Sequence, residues 1–262
     1  MENIEGLLID LDGTLYHGRH MILGADVLIA GLRKAGIPFL FVTNNSSRTP
    51  ESVADHLRGM GIEAKADEVC TSSLAAARYI SEETPGATVA ILGEEGLYQA
   101  CTDAGLNIVT ESPQYVVQGI DRSFTYDSLA KAAGWIMGGA ISVLTNPDLM
   151  LPSDVGVMPG AGTIGAAIEA ASGVAPIVIG KPYGHLMAYA TSLLNIDPRN
   201  AIVVGDNMKT DIAAGARAGC RTVLVLTGIT TEDNLEHYKV VTGVTPDYIC
   251  ADLTELMTLI GL

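Results

Sequence analysis

The most constraining feature of this chain is a set of apolar runs that do not alternate with polar residues. Ile4–Ile9, "IPFLFVT" (Ile37–Thr43), "PIVIGKP" (Pro176–Pro182), "AIVVGDN" (Ala201–Asn207) and "TVLVLTG" (Thr222–Gly228) are apolar at consecutive positions and give way to glycine or polar residues. A strand with one face in water alternates, whereas a strand covered on both faces does not. Between the runs lie segments of helical spacing. Ala25–Ala35 stops at Gly36, and Glu51–Arg58 is opened by Thr49 as an N-cap with Pro50 at the first helical position. Doubly buried strands joined by helices predict an α/β fold, a parallel sheet with helices on each side.

The interval from Ser81 to Ala175 carries its own alternation. Strand-like "ATVAILG", "LNIVT", "QYVVQGI" and "AISVLTN" are interleaved with helix-like Glu95–Ala104 and Asp127–Met137, and the helix-like Thr163–Ala171 follows. Structureless loops beyond about 15 residues are uncommon in compact domains. The interval therefore reads as an inserted α/β domain, residues 81–175, within a core made of residues 1–80 and 176–262. The chain's 262 residues suit two such domains.

Charge and cysteine content exclude several classes of function. Fifteen Lys and Arg against 30 Asp and Glu leave a net charge of −15. A field of that sign repels nucleic acid and anionic membrane surfaces, so neither is expected as a partner. Cys70, Cys101, Cys220 and Cys250 are widely spaced with no CxxC pair, which suggests neither a zinc cluster nor a disulfide framework. The start MENIEG has no basic or apolar leader character, and Ala161–Gly180 is broken by Glu169, Ser172, Gly173 and Pro176. A cytoplasmic protein is expected.

In parallel sheets chemistry gathers beyond the carboxyl ends of the strands. Four such ends carry polar groups here: Asp10 and Asp12, then Thr43-Asn44-Asn45, then Lys181, then Asp206. Asp10 and Asp12 in "LLIDLDGTLY" share a direction if strand geometry persists, and Gly13 lets the chain turn. Alone, Asp-x-Asp-Gly serves equally as a divalent-ion site or a polar turn. "VTNNSS" offers a hydroxyl and backbone N–H groups to phosphate oxygens, or forms an Asx-rich turn into the Thr49 cap. Asp211, at the opening of a helix, also has a capping reading.

The four blocks, in this order and spacing, resemble the haloacid dehalogenase-like superfamily, whose signature is DxDGT, then Thr or Ser, then Lys, then GDxxxxD. The insertion resembles that family's type-2 α/β cap, and "TNN", "TNPD" (Thr145–Asp148), "GKP" and "GDNMKTDI" look like the NagD and p-nitrophenylphosphatase branch. The resemblance implies a Mg²⁺-dependent phosphatase acting on a small phosphorylated metabolite such as a sugar phosphate, nucleotide or p-nitrophenyl phosphate. It assigns Asp10 as the nucleophile that becomes an aspartyl-phosphate and Asp12 as the acid/base. The metal ligands it implies are the Asp10 side chain, the Asp12 backbone carbonyl and Asp206, with Asp211 behind them. Lys181, Thr43 and Asn44, with Asn45 beside them, would hold phosphate, and Asn207, Met208, Lys209 and Thr210 fall where the branch's substrate contacts lie. The cap would close over the site, and cap-mediated homodimers occur in this branch.

Two rivals remain open at this point: a phosphomutase, which shares DxDGT, and a non-catalytic phosphate-responsive binding protein, which lacks the Asp12 position and a cap of this size. Asn146 and Asp148 are either on the cap face or in a simple Asn-Pro-Asp turn. "GAGTIG" (Gly160–Gly165) matches G-x-G-x-x-G, but Pro159 precedes it and the next strand ends in Gly180-Lys181 rather than an acid. A dinucleotide site is not expected, and close helix packing accounts for the glycines.

Overall fold

The computed structural model describes residues 4–153 and 156–262. The chain forms two compact units: one through Thr43 with Pro50–Cys70 and Lys181–Leu262, the other Asn44–Thr49 with Thr71–Gly180.

The first unit is organised by a six-stranded sheet in the order Tyr248–Cys250, Arg221–Val225, Ala201–Gly205, Gly6–Ile9, Phe39–Thr43, Val69–Thr71. Gly6–Ile9 pairs in parallel with both neighbours, placing Ile9 opposite Val204 on one side and Phe41 on the other. Leu7, Leu8 and Ile9 are wholly buried, as are Ile202 and Val204, so both faces of the central strands are covered. One face packs on Leu28, Ile29 and Leu32 of the helix Ala25–Ala35 and on Leu253 and Leu256 of the helix Leu253–Ile260. Removing each such side chain from water contributes about 1.5–3 kcal/mol. From Gly6–Ile9 the sheet grows outward in opposite senses, through residues 39–71 on one side and 201–250 on the other. That switch point lies between Gly6–Ile9 and Ala201–Gly205, where Asp10 and Asp206 follow.

The second unit has an all-parallel sheet in the order Ile177–Val178, Ile141–Leu144, Tyr115–Gln118, Thr88–Leu92, Asn107–Ile108. Leu92, Val116, Ala132, Ile136 and Ile168 form a core cluster, with Trp135 packed against it. The helix Ser72–Glu83 belongs to this unit and packs on Glu95–Asp103.

The structure corrects one strand assignment. "PIVIGKP" does not contribute to the central sheet of the first unit. Ile177 and Val178 pair with Val143 and Leu144 of the second sheet, and the ladder runs on through Ile179 N–H to Leu144 O and Gly180 N–H to Thr145 O. Lys181 is where the chain re-enters the first unit. Periodicity cannot say which of two parallel sheets an apolar run joins. Val69–Thr71 and Tyr248–Cys250, three residues each, were too short to carry a strand signal.

"GAGTIG" opens the helix Ala161–Ser172 after an antiparallel hairpin, Met150–Ser153 with Gly156–Pro159. A Cβ at Gly162 would lie 2.2 Å from the Pro147 carbonyl oxygen, so the glycine there serves close packing of the helix on the TNPD loop. All four cysteines are free and buried. No helix among the described residues is long and apolar enough to cross a membrane.

Candidate active site

Three carboxylates from two strand ends meet in the first unit. Asp10 follows Gly6–Ile9, and its N–H donates to Val204 O at 2.9 Å. Asp206 follows Ala201–Gly205, and Asp211 lies in the π-helical turn Met208–Ile212 that leads into the helix Ala213–Ala218. One ligand oxygen from each lies within 4.8 Å of the others. Lys181 enters beside them, 3% exposed; its ammonium donates to Asp10 Oδ1, to Asp211 Oδ1 at 2.7 Å and to Val42 O at 3.3 Å. Thr14 Oγ1 donates to the other Asp10 oxygen at 3.3 Å.

Local backbone chemistry builds these positions. Gly13, at φ 88°, turns the chain after Asp12, and any Cβ there would lie 2.5 Å from Asp206 Oδ2. Leu11 O accepts from Leu15 N–H at 2.8 Å, closing the turn. Asp211 receives the Asn207 N–H at 3.2 Å and the Thr210 hydroxyl at 3.3 Å, so it tightens its own turn as well as meeting Lys181. A segment not singled out from the sequence, Thr227–Thr230, straps the site. Ile229 N–H donates to Asp206 Oδ2 at 2.6 Å, Thr230 N–H to Asp206 O at 3.0 Å, and Thr227 Oγ1 to Gly13 O at 2.8 Å. Its only sequence signal was its place after another strand of the same sheet. Thr14, the last residue of DxDGT, adds a contact to Asp10 that residue type alone does not signal.

The remaining expected residues fall as follows. Asp12 is exposed and its carboxylate is not part of the three-carboxylate cluster. Thr43 ends its strand, half-buried. Asn44 belongs to the second unit, where its carboxamide donates to Asp148 Oδ2 at 3.0 Å. Asn45 Oδ1 accepts from Ser47 N–H and Arg48 N–H at 2.9 and 3.2 Å, an Asx turn. Asn207 caps its own turn by accepting from Lys209 N–H, and Met208 is fully buried with Ile212 and Leu224. The Lys209 ammonium lies 5.0 Å from the Tyr238 ring centroid. Asn146, 5% exposed, is not on an open face: its Oδ1 accepts from Asp148 N–H at 3.2 Å and its Nδ2 donates to Asn44 O at 2.8 Å.

The electrostatics ask for more positive charge than the chain supplies. Burial and then the Asp211 charge push Asp10 up to about 8, against the pull of Lys181. Burial and then Asp211 raise Asp206 to about 6, against the Ile229 N–H. For Lys181 burial acts downward, but Asp10 and Asp211 outweigh it and hold the ammonium above its usual range. Two carboxylates about 5 Å apart repel by roughly 3 kcal/mol at an effective dielectric near 20. Among the described residues one ammonium, paired with Asp10 and Asp211, stands against three carboxylates, and hard oxygen donors at this spacing suit a hard divalent cation. The donor set fits a divalent cation of that kind.

Comparison with known proteins agrees with this chemistry. Residues 7–107 match the family described as Haloacid dehalogenase-like hydrolase, and residues 178–256 match a HAD-hydrolase-like family. The chain belongs to the haloacid dehalogenase-like hydrolases. Within them it is of the NagD/p-nitrophenylphosphatase type. It is 44% identical to an acid sugar phosphatase of Staphylococcus aureus over 97% of both chains. The p-nitrophenyl phosphatase from Archaeoglobus fulgidus superposes with a TM-score of 0.92 at 35% identity, over 98% of this chain and 99% of that one. A double mutant of thermostable NPPase from Geobacillus stearothermophilus superposes with a TM-score of 0.89 at 41% identity, over 97% and 98%.

Proposed function

We propose that this enzyme hydrolyses small phosphomonoesters, of the sugar phosphate or p-nitrophenyl phosphate class, through an aspartyl-phosphate on Asp10. The observation that carries the reading is the convergence of Asp10, Asp206 and Asp211, with Lys181 paired to Asp10 and Asp211, at the switch point of a parallel sheet. The names of the similar proteins support the substrate class. The second unit is the cap domain on this reading.

Asp10 attacks phosphorus with one carboxylate oxygen while the bond to the leaving oxygen breaks, and Asp12 gives that oxygen its proton. Asp12 then takes a proton from the water that attacks the acyl phosphate, and inorganic phosphate leaves with Asp10 restored. The two acids differ in environment as the two roles require: Asp10 is largely enclosed and held by Lys181 and Thr14, whereas Asp12 is exposed to solvent, with which an acid/base must exchange protons. Splitting the reaction through a covalent intermediate lowers each barrier. A divalent cation held by Asp10, Asp206 and the Asp12 carbonyl would neutralise charge between nucleophile and phosphate dianion. Asp211 and Thr14 fix Lys181 and Asp10 in place, Lys181 draws off charge from the nucleophile, and Thr43 with the Asn44 N–H binds phosphate oxygens. The Met208 side chain is core, which leaves only its backbone to the site; Asn207, Lys209 and Thr210 flank the site.

The test is phosphate release from p-nitrophenyl phosphate and a panel of sugar phosphates. Chelation with EDTA is expected to stop release, and Mg²⁺ to restore it. Undiminished hydrolysis after exhaustive chelation would remove the metal from the account.

A further inference from the structure

The segment Asn44–Thr49 follows the strand Phe39–Thr43 but folds with the second unit, on the carboxyl ends of that unit's strands. There Ile120 N–H donates to Ser46 Oγ at 3.3 Å, and Gly96 N–H to Ser47 O at 3.0 Å. Asn44 is held at both its carbonyl and its side chain. Its carbonyl accepts from Ser72 Oγ at 2.7 Å and from Asn146 Nδ2 at 2.8 Å, which uses both lone pairs of that oxygen. Its side-chain amide donates to Asp148 Oδ2 at 3.0 Å, and a Cβ on Gly180 would lie 2.6 Å from its Oδ1.

A simple Asn-Pro-Asp turn explains only part of this. The turn needs Asn146 Oδ1 on Asp148 N–H; it does not need Asn146 Nδ2 or the Asp148 carboxylate on Asn44. Pinning both the carbonyl and the side chain of Asn44 fixes its ψ and the placement of its Cα, and with Thr43 held at the end of its strand on the other side the direction of the intervening N–H is set.

We infer that Asp148 and Asn146 are positioning residues that set the direction of the Asn44 N–H and thereby the affinity for phosphate. The inference rests on the reading above, in which that N–H takes a phosphate oxygen. It assigns "TNPD" a role in phosphate affinity rather than in a surface turn. The Asp148 bond is charge-assisted, stronger than a neutral one and directional.

The experiment uses the full chain, p-nitrophenyl phosphate as substrate and inorganic phosphate as competitive inhibitor. Asp148→Ala is expected to raise KM and the phosphate Ki by about tenfold, the loss typical of one hydrogen bond to a charged group. The Mg²⁺ concentration for half-maximal activity should stay at the wild-type value, because the proposed ligands Asp10, Asp12 and Asp206 lie in the first unit. Asp148→Asn, whose carboxamide oxygen still accepts from Asn44, should bring Ki back to within about twofold of wild type. Ser72→Ala, which removes one donor to the Asn44 carbonyl, should raise Ki in the same sense and serves should Asp148→Ala not fold. An unchanged Ki in the Ala variants, or equal damage in Asp148→Ala and Asp148→Asn, overturns the clamp while leaving the phosphatase reading intact. A wild-type chain that releases no phosphate overturns both.

Discussion

Replacing Lys181 by Met is expected to lower turnover by about 10²–10³-fold or more and to destabilise the metal-free protein by about 3–5 kcal/mol. The side chain is 3% exposed and its ammonium touches Asp10 and Asp211, themselves 12% and 2% exposed. Methionine fills similar space and supplies no charge, so two carboxylates would face each other across an apolar gap beside a third. Removing one member of a buried ion pair is costly because the partner is left without compensation. Urea denaturation in EDTA reads the stability term and p-nitrophenyl phosphate turnover the catalytic one. Adding Asp211→Asn to the Lys181→Met chain should recover part of the stability and none of the activity. A Lys181→Met protein as stable as wild type would mean that the lysine does not compensate the cluster.

Asp10→Asn should separate the two quantities in the opposite way. The carboxamide has the shape of the carboxylate and its oxygen still accepts from Lys181, while its NH₂ faces Thr14 Oγ1, whose hydroxyl can turn to accept instead of donating. Burial and neighbouring negative charge disfavour the ionised form of Asp10, and the amide removes that repulsion. Stability in the absence of metal is therefore expected to hold or rise. Turnover should fall by 10⁴-fold or more, on the order seen when a nucleophile is removed. A protein that folds at least as well and has lost its activity is the signature of a nucleophile. Retained turnover would show that phosphorus is attacked by something else.

The contrast between these variants also shows what the amino-acid order makes legible. Asp10, Lys181, Asp206 and Asp211 could be placed together because each follows or lies near a glycine- or polar-terminated apolar run, and a parallel sheet collects such ends. The grouping survives the correction to "PIVIGKP": Lys181 reaches the cluster although its strand Ile177–Val178 lies in the second sheet. The sheet a short apolar run joins depends on its partner's register, which no local pattern carries. The Thr227–Thr230 strap was invisible for a different reason. Its grip on Asp206 and Gly13 uses the Ile229 and Thr230 N–H groups and one hydroxyl, and backbone donors leave almost no trace in residue type. Asn146 and Asp148 form the Asn-Pro-Asp turn that "TNPD" allows in any context, whereas their second set of bonds goes to Asn44, some hundred positions away, which no local pattern carries.

In the proposed mechanism Asp10 carries the phosphoryl group between the two half-reactions. The most direct test is to quench the Mg²⁺-loaded enzyme with acid during turnover of p-nitrophenyl phosphate, reduce acyl phosphates with borohydride, and map the peptides by mass spectrometry. Homoserine is expected in place of Asp10, with Asp12, Asp206 and Asp211 unmodified. Reduction at any other residue, or a phosphoenzyme that forms equally in the Asp10→Asn protein, would contradict it.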